Sequence, residues 1–243
     1  MLPRLLDVDR KALRFRVISQ PFLIILKNRF LSHKGFTLVE LLVVIALIVA
    51  LAGVTVPLGK GMLTRSRAAN CSQNLRQIGL AAMMYASDNN MTLPVTTHQR
   101  TKGGKSWTLT LQPYASGTIT FKCHEDANIA RGYTYAINDF LTPNPSGAPE
   151  LNFSILAKID YPQATFMFAE AAPSYTNSDH FHFTDYSGGQ VPPGVFEVQV
   201  AVKAHGEKAN YLFADGHVET LSWAEVQARL SAGGSRFVDP ALH

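Results

Sequence analysis

The sequence predicts an α+β protein: a long N-terminal helix, membrane-spanning in its first half and amphipathic in its second, packed on a small antiparallel β-sheet head. Three observations predict it. Phe36 to Leu58 hold a single charged residue in 23 positions. Residues 63–90 show apolar positions at helical spacing. After residue 90 the texture changes to short β-like runs separated by Pro, Gly and Asn. The chain has 243 residues, of which 47% are hydrophobic and 16% charged, which excludes a disordered, highly solvated polymer.

Charge is distributed unevenly. The first 34 residues carry eight basic side chains (Arg4, Arg10, Lys11, Arg14, Arg16, Lys27, Arg29, Lys34) against Asp7 and Asp9, a local +6 within a formal total of +4. The remainder is therefore acidic by two charges. The basicity belongs to the N-terminus, and no nucleic-acid partner is expected of the globular part.

The apolar run 36–58 has the length a helix needs to cross about 30 Å of hydrocarbon. A secretory signal peptide would have a shorter apolar core and a small-residue cleavage site after it. The eight basic residues before the run outnumber Lys60, Arg65, Arg67 and Arg76 after it, so the N-terminus is expected inside and the C-terminal bulk outside. Glu40 breaks the run near its start. A lone charge at membrane depth costs about 3 kcal/mol or more, which makes it a functional residue awaiting a partner.

Gly35-Phe36-Thr37-Leu38-Val39-Glu40, preceded by Lys34 and followed by the apolar run, resembles the cleavage and methylation signature of type IV prepilins and type II secretion pseudopilins. The resemblance implies a domain order: 1–35 a basic leader that is removed, 36–59 the transmembrane and assembly half of the helix, 60–90 its amphipathic half, and 91–243 a β-rich, pilin-like head. It implies cleavage after Gly35 and N-methylation of Phe36 by a prepilin peptidase, storage in the inner membrane with the head periplasmic, and assembly with other pilin-like subunits into a type II secretion or pilus-like filament. It also implies a partner for Glu40, the new α-amino group on Phe36 of a neighbouring subunit. The alternative is a single-pass membrane-anchored binding domain that does not polymerise. At 35 residues the leader is long for the family, and residues 17–26 are themselves apolar.

Gly53, Pro57, Gly59 and Gly61 cluster at the end of the apolar run, so a kink or an unwound stretch is expected there. Patterning then resumes: Cys71, Leu75, Ile78, Ala82 and Tyr85 are spaced 4, 3, 4 and 3, one face of a helix that packs on the head. The pair Met83-Met84 reads as core filling, and Ser87-Asp88-Asn89-Asn90 as the stop.

Expected strands in the head are GTITFKC (117–123), GYTYAIN (132–138), ATFMFAE (164–170), GVFEVQVAVKAH (194–205) and NYLFADGHVETL (210–221), with a terminal helix over 223–231. Asp215-Gly216 between two alternating runs marks a hairpin. His205, nine residues, then Asp215-Gly216 resembles a His-x9-Asp-Gly pattern in one branch of the prepilin-type proteins. FKCHED resembles that branch's Cys-Pro-x-Asp segment, with His124 in place of proline. The role of His205, Asp215 and Gly216 is unknown; a turn for Asp215 and a hairpin-bonding side chain for His205 are the structural alternatives.

Cys71 and Cys123 are too few for a disulfide scaffold or a Cys-rich zinc module. They are candidates for one bridge if the head lies outside the cytoplasm; otherwise they are two buried unpaired thiols. Gly103-Gly104-Lys105-Ser106 lacks the first glycine of a phosphate loop, where Gln99 stands. His180 and His182 share a strand face near Asp179 and Asp185 but lack a third well-spaced ligand, so no metal is expected. No cofactor is expected, with calcium in the head as a weaker expectation without a spaced Asp/Asn series. No catalytic motif is present, and the chain is expected not to be an enzyme.

Overall fold

A computed structural model describes residues 35–97, 105–115, 120–128, 130–143, 152–176 and 179–242, with the side chains of 56–60 excepted. The leader and Gly103-Gly104 lie outside the described residues. The chain divides into two units, residues 1–50 and 51–243.

In the first unit, helix α1 begins. It spans Leu38–Asp88, 51 residues, and its start is set by Thr37. The Thr37 hydroxyl accepts from the Glu40 backbone N–H (3.2 Å), while the Glu40 carboxylate accepts from the Thr37 N–H (2.9 Å) and hydroxyl (2.8 Å). This is a capping box, two end groups of the helix satisfied reciprocally. From Leu38 to Thr55 the helix is long and apolar enough to cross a membrane, and none of that stretch is buried within the chain.

The second unit opens on the remainder of α1. The helix continues through Gly53, Pro57, Gly59 and Gly61, so the expected unwound stretch is absent. Proline removes one donor, and the bonded turns on either side hold the helix together. The predicted stripe is the face that packs: Cys71, Leu75, Ile78 and Ala82 are fully buried. Met84 is instead 54% exposed; only Met83 of the pair contributes to the core. The helix ends where Asn90 (φ 54°) and Met91 (φ 58°) turn left-handed, the conformation that terminates helices.

The sheet is a four-stranded antiparallel meander, β1 (Tyr135–Ile137), β2 (Phe166–Glu170), β3 (Lys208–Phe213) and β4 (Val218–Ser222), in chain order. One face meets α1. Ile137, Phe168 and Leu212 pack with Leu75 and Ile78. Gly79 lets the helix approach so closely that a Cβ there would lie 2.9 Å from Leu212 Cδ1. The other face carries a second core built on Phe166, Phe181, Phe183, Phe196, Tyr211 and Phe237. Phe183 and Phe196 stack at 5.4 Å. Strand alternation explains β3, with Ala209, Tyr211 and Phe213 on one face and Leu212 on the other. In β2 the register shifts between Phe166 and Phe168, and this bulge puts Met167 and Phe168 together on the helix side.

Two expected strands are corrected. Residues 194–205 do not form one: α3 (Pro193–Gln199) is helical, with proline at its first position. Phe196, Gln199 and Val200 are its buried residues, a helical i, i+3, i+4 set hidden under an apparent alternation. Of the expected strand 117–123, residues 117–119 lie outside the described residues and 120–123 are irregular; Phe121 O and the Cys123 N–H are satisfied by the backbone and hydroxyl of Thr134. A short helix α2 (Trp107–Thr110) buries Trp107, whose Nε1 donates to Asp179 O at 2.7 Å. Helix α4 (Trp223–Ser231) stands where the sequence placed it, started by a Ser222–Glu225 capping box.

Candidate functional site

The N-terminal residues Gly35, Phe36 and Glu40 are exposed. The capping box holds the Glu40 carboxylate back over the first turn of α1, on the backbone N–H and hydroxyl of Thr37. The Thr-x-x-Glu spacing that builds this box is legible in the sequence.

The head contains a second constellation, buried between α1 and the sheet. Cys71 of α1 and Cys123 are joined in a disulfide with Cα atoms 5.4 Å apart, within the span a bridge tolerates. Immediately beside it, His205 Nε2 lies 2.8 Å from Glu170 Oε1 and 3.8 Å from Cys123 Sγ. The Glu170 and His205 side chains are 0% and 1% exposed.

Local structure explains each placement. Glu170 ends β2, and the bulge earlier in that strand phases it toward the helix. Asn210, its neighbour on β3, donates its backbone N–H to Glu170 Oε2 (3.2 Å), and its side chain reaches Ala68 O of α1 (3.3 Å). Thr220 of β4 donates to the Asn210 side-chain oxygen at 2.7 Å. His205 sits in the tight turn before β3, where Gly206 has φ 80° and the His205 N–H bonds Lys208 O.

Burial disfavours a charged His205, but the hydrogen bond to Glu170, its charge, and the charge of Glu125 outweigh burial and raise the ring's pKa above the ordinary histidine value. Tyr135 and Tyr211 are held protonated by burial and by the Glu170 charge. The Tyr135 hydroxyl donates to Cys71 O (3.3 Å). His205 Nδ1, buried in this region, and Tyr211 OH, in the core on the other face of the sheet, have no hydrogen-bond partner among the described residues.

Outward of the bridge, an open cavity of about 410 Å³ is lined by Cys123, Asp126, Arg131, Glu170, Glu197 and Lys203, among others. Its wall is stiffened by Asp126, which accepts from Arg131 and from the Thr134 hydroxyl. Burial opposes the Asp126 charge, but Arg131, Thr134 and the Asn128 N–H outweigh it, so its carboxyl is held below the usual range. Arg131 also donates to Ala171 O and Ala172 O.

Chemically the constellation is not a nucleophile relay. Such a relay uses opposite nitrogens of the imidazole for the base and for the orienting carboxylate, whereas here one nitrogen faces both the sulfur and Glu170. Asp215 and Gly216 lie apart from it, in the β3–β4 hairpin. Gly216 (φ 92°) closes a three-residue loop, and Asp215 accepts from the His217 N–H. His205 and Asp215-Gly216, paired by spacing in the sequence, thus serve different places. His180 bonds Asp179, whose carboxylate is also occupied by the backbone and hydroxyl of Thr97. These two residues tie loops together.

Two family models match the chain. "Prokaryotic N-terminal methylation motif" matches residues 31–56, which contain Gly35, Phe36 and Glu40. The first match places a methylation motif at the start of α1, ahead of an α+β head. "Protein of unknown function (DUF1559)" matches residues 65–135, from the amphipathic half of α1 to the first residue of β1. The second match covers Cys71 and Cys123 and stops before Glu170 and His205. No curated protein and no solved structure matches the chain. Glu170 was missed in the sequence; its signal is a lone acid closing the apolar strand Phe-Met-Phe-Ala.

Proposed function

We propose that the chain is a structural pilin-like (pseudopilin) subunit, cut after Gly35 by a prepilin peptidase, methylated on Phe36, held in the inner membrane by Leu38–Thr55 with its head outside, and assembled through that helix into a filament. The observation that carries this reading is the methylation motif at residues 31–56 on a helix whose apolar surface finds no cover among the described residues. In a bilayer that surface is stored; in a filament it packs against identical or related helices. Glu40 sets the register, because its carboxylate in a low-dielectric bundle favours the one docking that brings a Phe36 amine to it. The capping box supports this role by holding the carboxylate at the end of the helix where amines gather. The chain has no catalytic part in this scheme.

Co-expression with a prepilin peptidase, followed by mass spectrometry of the mature N-terminus and shearing of filaments, tests it. The mature chain starts at N-methyl-Phe36. Glu40→Val is cleaved and inserted but yields no filaments. An intact leader overturns the processing, and filaments from Glu40→Val overturn the role of the carboxylate. The 410 Å³ cavity favours the second reading, an anchored binding domain, which a processed chain that never assembles would support.

A further inference from the structure

We propose that Cys71, Cys123, His205 and Glu170, when the two cysteines are thiols, form a tetrahedral site for a thiophilic divalent cation of the zinc class, a site that the disulfide closes. The donor set is two sulfurs, one imidazole nitrogen and one carboxylate oxygen, a combination suited to zinc and unsuited to magnesium or calcium. The four donor atoms all lie within 4.8 Å of one another and all four residues are buried. Metal–ligand bonds of about 2.0–2.3 Å give a tetrahedron with edges of about 3.3–3.8 Å. The Cys123 Sγ to His205 Nε2 distance, 3.8 Å, is already such an edge. The His205–Glu170 contact, 2.8 Å, has to open by roughly half an ångström.

The ligands come from four separate segments, α1, the 120–123 loop, the end of β2 and the turn before β3, so a bound cation would cross-link the head as the disulfide does. Outer contacts of the kind a metal site uses are present for Glu170 and Cys123, while His205 Nδ1 has none among the described residues. Asn210 N–H anchors Glu170 Oε2, leaving Oε1 to face the centre. The Thr134 hydroxyl fixes the backbone of Cys123. A bare Glu–His pair set against two sulfurs is an expensive way to fill a core, since apolar side chains of the same volume would serve stability as well or better.

The two states interconvert by balanced chemistry. A phosphine or dithiol supplies two electrons and water or the dithiol two protons, converting the disulfide to two thiols. Cation binding then releases both thiol protons and the proton on His205 Nε2. A two-electron oxidant such as diamide reverses this: the two thiolates lose two electrons and bond to each other, diamide takes the electrons and two protons, and the cation leaves.

The test uses the full chain in detergent, reduced anaerobically with a phosphine, freed of excess reagent and titrated with cobalt(II), then zinc(II). One cobalt per chain is expected, with a thiolate-to-cobalt charge-transfer band and tetrahedral ligand-field bands that zinc bleaches. The oxidised chain gives none. His205→Ala and Glu170→Gln each weaken cobalt binding at least about tenfold, the lower bound for losing even an outer partner. Diamide releases one zinc per pair of thiols. Zinc also raises the melting temperature of the reduced chain, a readout that holds even if reduction loosens the fold. No charge-transfer band, unchanged affinity in both His205→Ala and Glu170→Gln, or a melting temperature indifferent to zinc each overturns the site.

Discussion

Glu170 Oε1 and His205 Nε2 meet at 2.8 Å directly behind the bridge that ties α1 to the head. Neither side chain reaches solvent, and each is the other's main electrostatic compensation. His205→Ala leaves a buried carboxylate with only Asn210 to bond, so it lowers the unfolding free energy by about 3–5 kcal/mol. The double variant Glu170→Met/His205→Leu removes both charges and costs well under the sum of the single changes. Urea unfolding of the oxidised chain measures this; additive losses would show that the two residues act separately.

The Cys71–Cys123 bridge spans a sequence separation of 52. Constraining a loop of that size stabilises the fold by about 4 kcal/mol through the unfolded chain. Cys71→Ser/Cys123→Ser lowers the urea midpoint accordingly, and the same double variant insulates the chain from added reductant. A wild-type midpoint that ignores reductant contradicts this.

Gly79 faces Leu212 across the helix–sheet interface, with a would-be Cβ 2.9 Å from Leu212 Cδ1. Gly79→Leu forces α1 off β3 and costs about 1–3 kcal/mol by overpacking, despite its better helix propensity. Thermal unfolding of the variant checks it: equal or higher stability would mean the interface yields freely.

Asp126, paired with Arg131, has a folded pKa below its unfolded value of about 3.9. Its contribution is therefore complete above the unfolded pKa and is lost as the pH falls through the folded one. Asp126→Asn costs about 3 kcal/mol near neutrality, because Arg131 is left 15% exposed without its carboxylate. The difference between variant and wild type shrinks below about pH 4. A pH-independent difference would assign the effect to packing instead.

Much of this chain was legible in one dimension because its signals are local. A run of 23 residues with one charge states a membrane-length helix, and Gly35-Phe36 with Glu40 lies in the methylation motif matched at residues 31–56. The 4-3-4-3 spacing from Cys71 to Tyr85 states which face of α1 is buried, and Ser222-x-x-Glu225 with its apolar positions states α4. Each depends on residues within a few turns of one another.

Where local signals competed, tertiary context decided. Alternation in 194–205 suggested a strand, yet Pro193 and the burial of Phe196 and Val200 made α3. Glycine and proline near residue 57 suggested unwinding, and the bonded turns around them prevailed. The site in the head was beyond sequence altogether. Cys71, Cys123, Glu170 and His205 are scattered over 134 positions, and their meeting depends on a bulge in β2 that turns Glu170 inward and on Gly79 letting α1 close on β3. The sequence by itself determined the long apolar helix, the methylation motif at its start and the helix face that packs, since periodicity, composition and local spacing suffice for those. Only the folded chain decided what His205 is for, because a buried charge takes its meaning from the group opposite it, and that group is chosen by packing.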